Sequence, residues 1–418
     1  MRKTFTTVAA VAALGLLTAC SGGGGETGGG ASPEETAAAG GDSGSLTIWT
    51  DENRQPAIEA AAEAFTEETD VEVETVVKNF EDIRADFLAQ VPTGEGPDIT
   101  VGAHDWLGAL IVNGVVDSVD LGDKAGDFED VAIQAFTYEG QLYGMPYALE
   151  TVAVVRNTEL APNPTPATFD EMIAAGRAAG TKLPFVINTN GTTGDAYTYY
   201  GLQTSFGAPV FVQNEDGSYT TELGMANDGG YQFAEFLKAN GMGGAGVFST
   251  DWTYDIANQE FADGNAPFTI AGPWAIADLT ANDAEVAVEP IPSAGGQPAQ
   301  PFVGVQGFYI SAQSENKLLA ADFLTNYVAT PDAMMAIHEA DPRIPAFTET
   351  ADAVSSDPVI AGFLESSKTG VPMPSIPEMG DVWEFWNGTQ ASLINGSATD
   401  SRAAWDKMVT DLQGALGG

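Results

Sequence analysis

The chain has 418 residues, too many for one hydrophobic core, so two domains or lobes are expected. Its 59 acidic residues against 15 lysines and arginines give a formal net charge of −44, which repels nucleic acid and anionic surfaces and leaves no phosphate groove. A mean hydropathy of −0.04 fits a soluble globular body, and the acidity itself serves solubility.

Met1-Arg2-Lys3 is a short basic start, followed by TTVAAVAALGLL, an apolar run too short to span a bilayer with comfort. It ends in Leu17-Thr18-Ala19-Cys20, and Cys20 is the only cysteine, so no intrachain disulfide can form. Residues 1–19 read as a secretory signal peptide. Leu-x-Ala-Cys resembles the bacterial lipobox, which implies a lipid-bearing Cys20, acylated with a fatty chain such as palmitate. Residues 20–45, with SGGGGETGGGASPEETAAAGGDSGS, hold nothing large enough to build a core and read as a flexible tether.

The folded body begins with LTIWT, a buried strand, and PAIEAAAEAFTEETD, an amphipathic helix. VEVETVVK alternates as a second strand, FEDIRADFLAQVPTG is a helix stopped by Pro92 and Gly94, and PDITVGA is a third strand. This alternation predicts βαβ units and a mostly parallel sheet. WLGALIVNG reads as a helix, FTYEGQLYGMPYALE as a hairpin and TVAVVRN as a strand, and a middle region from Leu183 to about Gln300 repeats the alternation. PFVGVQGFYI returns as a strand, then ENKLLAADFLTNYVA and PDAMMAIHEA as helices, with a largely helical tail.

Ligands of open α/β sheets sit beyond the carboxyl ends of the strands. Three strand ends carry polar groups there: Asp51-Glu52-Asn53-Arg54, His104-Asp105-Trp106 and Glu150. No His or Cys pair has metal-ligand spacing and no EF-hand loop is present, so no metal and no cofactor are expected. Nucleophile elbows, GxGxxG and Walker loops are absent. A glycosidase would need two carboxylates flanking a bond, and the many acids here do not single out a pair. Binding without reaction fits better. Aromatic rings cover sugar faces, carboxylates accept from hydroxyls and guanidinium groups donate to them. The chain offers Trp106, Tyr197, Tyr199, Tyr200, Trp274, Trp383 and Trp386 with Arg54, Asp105, Glu150 and Asp195. Trp49 reads as core, His104 as a hydrogen-bonded structural residue, His338 as incidental, Trp252 and Trp405 as core or surface, and Arg343 in DPRIPA as a hinge or site residue.

TGEGPDITVGAHDWLGAL, YGMPYALETVAVVRNTEL, FADGNAPFTIAGPWAIA, PAQPFVGVQGFYI and VPMPSIPEMGDVWEFW, in this order and spacing, resemble the maltose-binding branch of the extracellular solute-binding proteins of ABC transporters. The resemblance covers nearly the whole folded part. It implies an α/β, two-lobed, type II periplasmic-binding-protein-like fold with a ligand cleft between lobes. The chain would cross the hinge near 148–153, 302–305 and 345. Lobe 1 would comprise 46–148 plus 304–345, and lobe 2 153–301 plus 350–418. It implies a non-enzymatic, monomeric lipoprotein on the outer face of the cell membrane that delivers maltodextrin-like oligosaccharides to permease subunits. A receptor for another sugar such as trehalose, a signalling receptor and a secreted α-glucan hydrolase are the alternatives. Position by position it implies Arg54 as a hydroxyl donor with Asn53 beside it, Asp105 and Glu150 as acceptors, and Asp195 with Tyr197 as an acidic–aromatic pair. Tyr200, Trp274 and Trp383 would be stacking rings. The family's maltodextrin binders often carry tryptophan at the position of Gly102 and arginine at those of Trp106 and Asn387. Trp106 therefore reads as a stacking platform moved a few residues along.

Overall fold

The structure, a computed structural model, describes residues 44–214 and 218–417, so Cys20, the segment expected to be a signal peptide and most of the expected tether lie outside the described residues. The described body from residue 44 onward is built on two main sheets, with two small two-stranded ones beside them. In the larger, eight-stranded sheet, Leu46–Thr50 lies between Val73–Val77 and Ile99–Ala103, parallel to both. The long strand Phe302–Ser311 then inserts antiparallel between Ile99–Ala103 and Gly144–Thr151, and Ile344–Pro345 closes the edge. The smaller sheet joins Val286–Glu289, Ala153–Asn157, Phe268–Ala271 and Val186–Ile187.

The expected mostly parallel sheet is corrected here: both sheets are mixed. Phe302–Ser311 returns from the smaller sheet and enters between existing strands, and Ala153–Asn157 is antiparallel to both its neighbours. Phe302–Ser311 is buried along almost its whole length, which matches its mostly apolar sequence, broken only by Gln306 before the terminal Ser311.

The first helix shows why these elements form. Gln55–Thr69 starts with Pro56 in the first turn, is rich in alanine and glutamate, and turns Ala57, Ile58, Ala61, Ala62 and Phe65 inward. It ends at Asp70, whose φ of 59° places it in the left-handed region. Phe65 meets Phe323 and Tyr327 edge-on at 5.4 and 4.9 Å, and burying a ring of that size contributes about 2 kcal/mol.

One residue, Val152, separates Thr151 in the larger sheet from Ala153 in the smaller. A second passage joins Val286–Glu289 to Phe302–Ser311. After Ile344–Pro345 the helix Pro358–Ser367 packs on the smaller sheet, a third passage. The fold is two-lobed, and the chain passes between the sheets in the places where the polar strand ends gather. No helix among the described residues is long and apolar enough to cross a membrane.

Candidate functional site

The larger sheet supplies one wall. Where Leu46–Thr50 ends, Asp51 Oδ1 accepts from the backbone N–H of Asn53 at 3.0 Å and of Arg54 at 3.2 Å. That turn exposes Asn53 at the rim and buries Arg54, which is 3% exposed. The Arg54 guanidinium pairs with Asp51 and with Asp341, the latter at 3.1 Å, and lies over the rings of Phe80 and Tyr147 at 5.0 and 5.5 Å. Burial pulls its pKa down to about 10, and the like charge of Arg343 pulls the same way. Tyr147 reaches the site because the Gly144–Thr151 strand is irregular there. Gln306 faces Ala148 while Gly307 faces Pro146, leaving Tyr147 as the extra residue of a bulge.

His104, Asp105 and Trp106 form a single 3-10 turn directly beyond Ile99–Ala103. His104 is structural: its Nδ1 accepts from Val305 N–H at 3.0 Å and its Nε2 meets the Met373 carbonyl at 2.9 Å, which fixes the proton on Nε2. Asp105 is buried, and desolvation raises its pKa against the opposing electrostatic pull of its neighbours His104 and Arg84. Trp106 packs on Phe80 with ring centroids 5.2 Å apart.

Glu150 closes this wall. Its Oε2 pairs with Arg343 Nε at 2.6 Å and its Oε1 accepts from Gln306 Nε2 at 3.0 Å. Arg343 also pairs with Asp341, so Asp51, Arg54, Asp341, Arg343 and Glu150 form one buried chain of alternating charge.

The second wall comes from the smaller sheet and the helices beside it. Trp274 follows the strand Phe268–Ala271; it is half-buried, with the Arg343 guanidinium 5.4 Å above its ring and Tyr197 6.1 Å away. Tyr197 also lies 6.0 Å from Phe302. Its hydroxyl is buried without a partner, and desolvation, reinforced by Glu150, raises its pKa. Trp383 stacks on Trp386 at 5.6 Å and meets Phe302 edge-on.

Two expected residues are placed differently. Tyr200 is fully buried: its ring stacks on Phe302 at 3.6 Å, Trp386 meets it edge-on, and its hydroxyl accepts from Val210 N–H. It belongs to the core and has no face left for a sugar. Asp195 caps the helix Ala196–Thr204. Its Oδ1 accepts from Thr198 N–H at 3.1 Å, and its Oδ2 from the Thr198 hydroxyl at 2.6 Å and Asn188 Nδ2 at 2.8 Å. Most of its acceptor capacity is spent internally, and burial raises its pKa. Asn387 serves the same helix, its Oδ1 accepting from Ala196 N–H at 2.7 Å.

Arg54 and Glu150 are thus linked by ion pairs through Asp341 and Arg343, the Arg343 guanidinium lies over Trp274 with Tyr197 beside that ring, and the charges of Glu150 and Asp105 are felt at Tyr197. Asp341, Tyr147 and Gln306 join them without having been expected. The DPRIPA segment flagged Arg343 and could have flagged Asp341 two residues before it. Tyr147 and Gln306 gave no signal, because only the bulge and the antiparallel register bring them in.

A family model described as bacterial extracellular solute-binding protein matches residues 60–362. The galactooligosaccharide-binding protein of Bacillus subtilis is 25% identical over 382 residues, covering 89% of each chain. A maltodextrin-binding protein of the same organism is 28% identical over 359 residues, covering 81% of this chain and 82% of its own. The maltotriose-binding protein of Pyrococcus abyssi is 27% identical, covering 84% of this chain and 77% of its own. Among solved structures, the Thermus thermophilus maltotriose-binding protein with maltotriose bound is similar with a TM-score of 0.79 at 28% identity, covering 89% of this chain and all of that one. With the strand-end site between two sheets and a family match over most of its length, the chain belongs to the bacterial extracellular solute-binding proteins.

Proposed function

We propose that the protein is the binding subunit of an ABC importer, capturing a neutral oligosaccharide of the maltodextrin class and presenting it to membrane permease subunits. The observation that carries this reading is the Arg343 guanidinium, held by Glu150 on one sheet's side, lying over Trp274 with Tyr197 beside that ring on the other's. Flat rings take pyranose faces, and charged groups held in fixed pairs take the hydroxyl edges. The printed names of the maltodextrin- and maltotriose-binding relatives support the ligand class. The lobes divide at 46–148 with 304–345 and at 153–301 with 350–418, and a ligand touching both favours the closed arrangement. The contact residues are Asn53, Arg54, Asp105, Trp106, Glu150, Tyr197, Trp274 and Trp383, with Asp195 as the helix cap that sets Tyr197. The receptor is a monomer, uses no cofactor or metal and performs no reaction. Cys20 carries the lipid that holds it at the outer face of the membrane.

A thermal-shift and calorimetric panel of maltose, maltotriose, maltotetraose, trehalose and a galactooligosaccharide tests the ligand class. Saturable binding led by the α-1,4-glucans is the expected result. A galactooligosaccharide leading the panel favours the second reading, which the similarity to that relative supports. Release of reducing sugar from any of them returns the hydrolase. For the anchor, replacing Cys20 by serine should move the protein from the membrane fraction to the medium.

A further inference from the structure

Four arginines among the described residues are not exposed: Arg54, Arg84, Arg156 and Arg343. Three of them are ion-paired, with Asp51 and Asp341, with Glu289, and with Glu150 and Asp341. Arg84 pairs with no carboxylate among the described residues, and its Nε is buried without a partner. In a chain with 59 acids and 15 basic residues, an unpaired half-buried arginine does not reflect a shortage of carboxylates. Leaving such a group dry and unbonded costs free energy unless something else takes its donors.

The position of Arg84 says what that is. It stands on the helix Phe80–Gln90, whose first residue carries Trp106 and Arg54 against its ring. Its guanidinium lies against bare Gly380, where a Cβ would come within 2.5 Å of Nη2. Trp383 follows one helical turn later on the same helix, Met379–Asn395. The positive charge is felt at Asp105, whose carboxylate takes no side-chain hydrogen bond among the described residues.

We propose that Arg84 is a ligand-binding residue that sets specificity in this corner of the cleft, forming with Asp105 a donor–acceptor pair that takes neighbouring hydroxyls of one pyranose ring. The guanidinium donates to one hydroxyl oxygen while the carboxylate accepts from the next. Gly380 leaves room for the guanidinium, and Trp383 lies one turn away to cover the ring's face.

This inference rests on the sugar-binding reading, and its test separates the two. Maltose, maltotriose and trehalose are titrated calorimetrically into the wild-type chain and into Arg84→Gln, Arg84→Lys and Arg177→Gln, the last an exposed arginine as control. The expected result is at least a tenfold loss of affinity in Arg84→Gln at unchanged melting temperature, partial recovery in Arg84→Lys and none lost in Arg177→Gln. Wild-type affinity in Arg84→Gln overturns the inference and leaves the sugar-binding reading standing. A lowered melting temperature with affinity retained overturns it too, because Arg84 is then structural. A wild-type chain that binds none of the three sugars removes the reading itself.

Discussion

Trp106 lies across Gly102: a Cβ on Gly102 would stand 2.6 Å from Trp106 Cε3 and 2.9 Å from Tyr309 Cε2. The missing side chain on the strand is what lets the indole fold back beside Asp105. Gly272 and Trp274 repeat the arrangement on the opposite wall, with a hypothetical Cβ 2.1 Å from Trp274 Cη2. Because Gly102 is not among the positive-φ glycines, alanine suits its backbone, and the strain falls on the Trp106 indole and the buried Tyr309 ring, both of which have to give way. Gly102→Ala should therefore weaken sugar binding by roughly tenfold, read by calorimetry. The melting temperature should fall by only a few degrees. Unchanged affinity would place the Trp106 ring outside the contact set.

Trp274→Ala and Trp383→Ala should each cost roughly tenfold or more in affinity, the equivalent of about 1.4 kcal/mol. Both rings are half-buried at the surface of the gap, so the native fold should persist in far-ultraviolet circular dichroism. Wild-type titration curves for either variant would remove that ring from the site.

Glu150, proposed above as a ligand acceptor, also holds Arg343. Glu150→Gln keeps the shape and removes the charge, leaving Arg343 with Asp341 alone. Breaking a buried pair in this way costs about 3 kcal/mol, so chemical denaturation should show lower stability as well as reduced affinity. Retained stability with lost affinity would mean that the pair contributes nothing to the fold.

Asp105 carries a pH dependence with a definite sign. Burial holds its pKa above the unfolded value, so the folded chain keeps a proton that the unfolded chain has already released. Stability attributable to this group therefore declines as pH rises through that interval, and the full penalty is present above it. Asp105→Asn should melt higher than wild type at pH 7, the difference vanishing as both approach pH 3, while its sugar affinity falls. A difference that grows toward low pH would contradict this assignment.

Tyr197 and Tyr200 should separate cleanly. Tyr200→Phe strands the Val210 N–H and costs about 1 kcal/mol of stability without touching affinity. Tyr197→Phe removes a buried hydroxyl that has no internal partner, so affinity should fall with stability unchanged or improved. Paired calorimetry and melting curves check both.

Much of this site was legible in the sequence because strand ends are marked by composition. Apolar runs stop at Thr50 and Ala103, and the polar residues that follow land on the wall of the gap. The assignment of His104 to structure held for the same reason: a residue one step past a buried strand must satisfy both ring nitrogens on neighbouring backbone. Tyr200 misled because an aromatic cluster such as Tyr197–Tyr199–Tyr200 does not reveal how deeply each ring is covered. Tyr197 and Tyr200 stand one turn apart on the same helix face and both reach Phe302, but Tyr197 also reaches Trp274 while Tyr200 is sealed between Phe302 and Trp386. The mixed sheet was hidden because Phe302–Ser311 looks like any buried strand, and its antiparallel insertion depends on where the chain returns from the smaller sheet. Arg84 gave no signal, since a lone arginine on an acidic helix looks like a solvated residue until its neighbours are known.

Asp341 stands between Arg54 and Arg343, and Glu150 holds Arg343 from the other side. The receptor thus brings its own counterions into the gap. An uncharged guest can push water out of this part of the pocket without stranding an ion. A phosphorylated or carboxylated metabolite would have to outcompete a fixed acid for each of those two guanidinium groups, so the arrangement that holds the wall together also favours an uncharged guest beside Arg54 and Arg343.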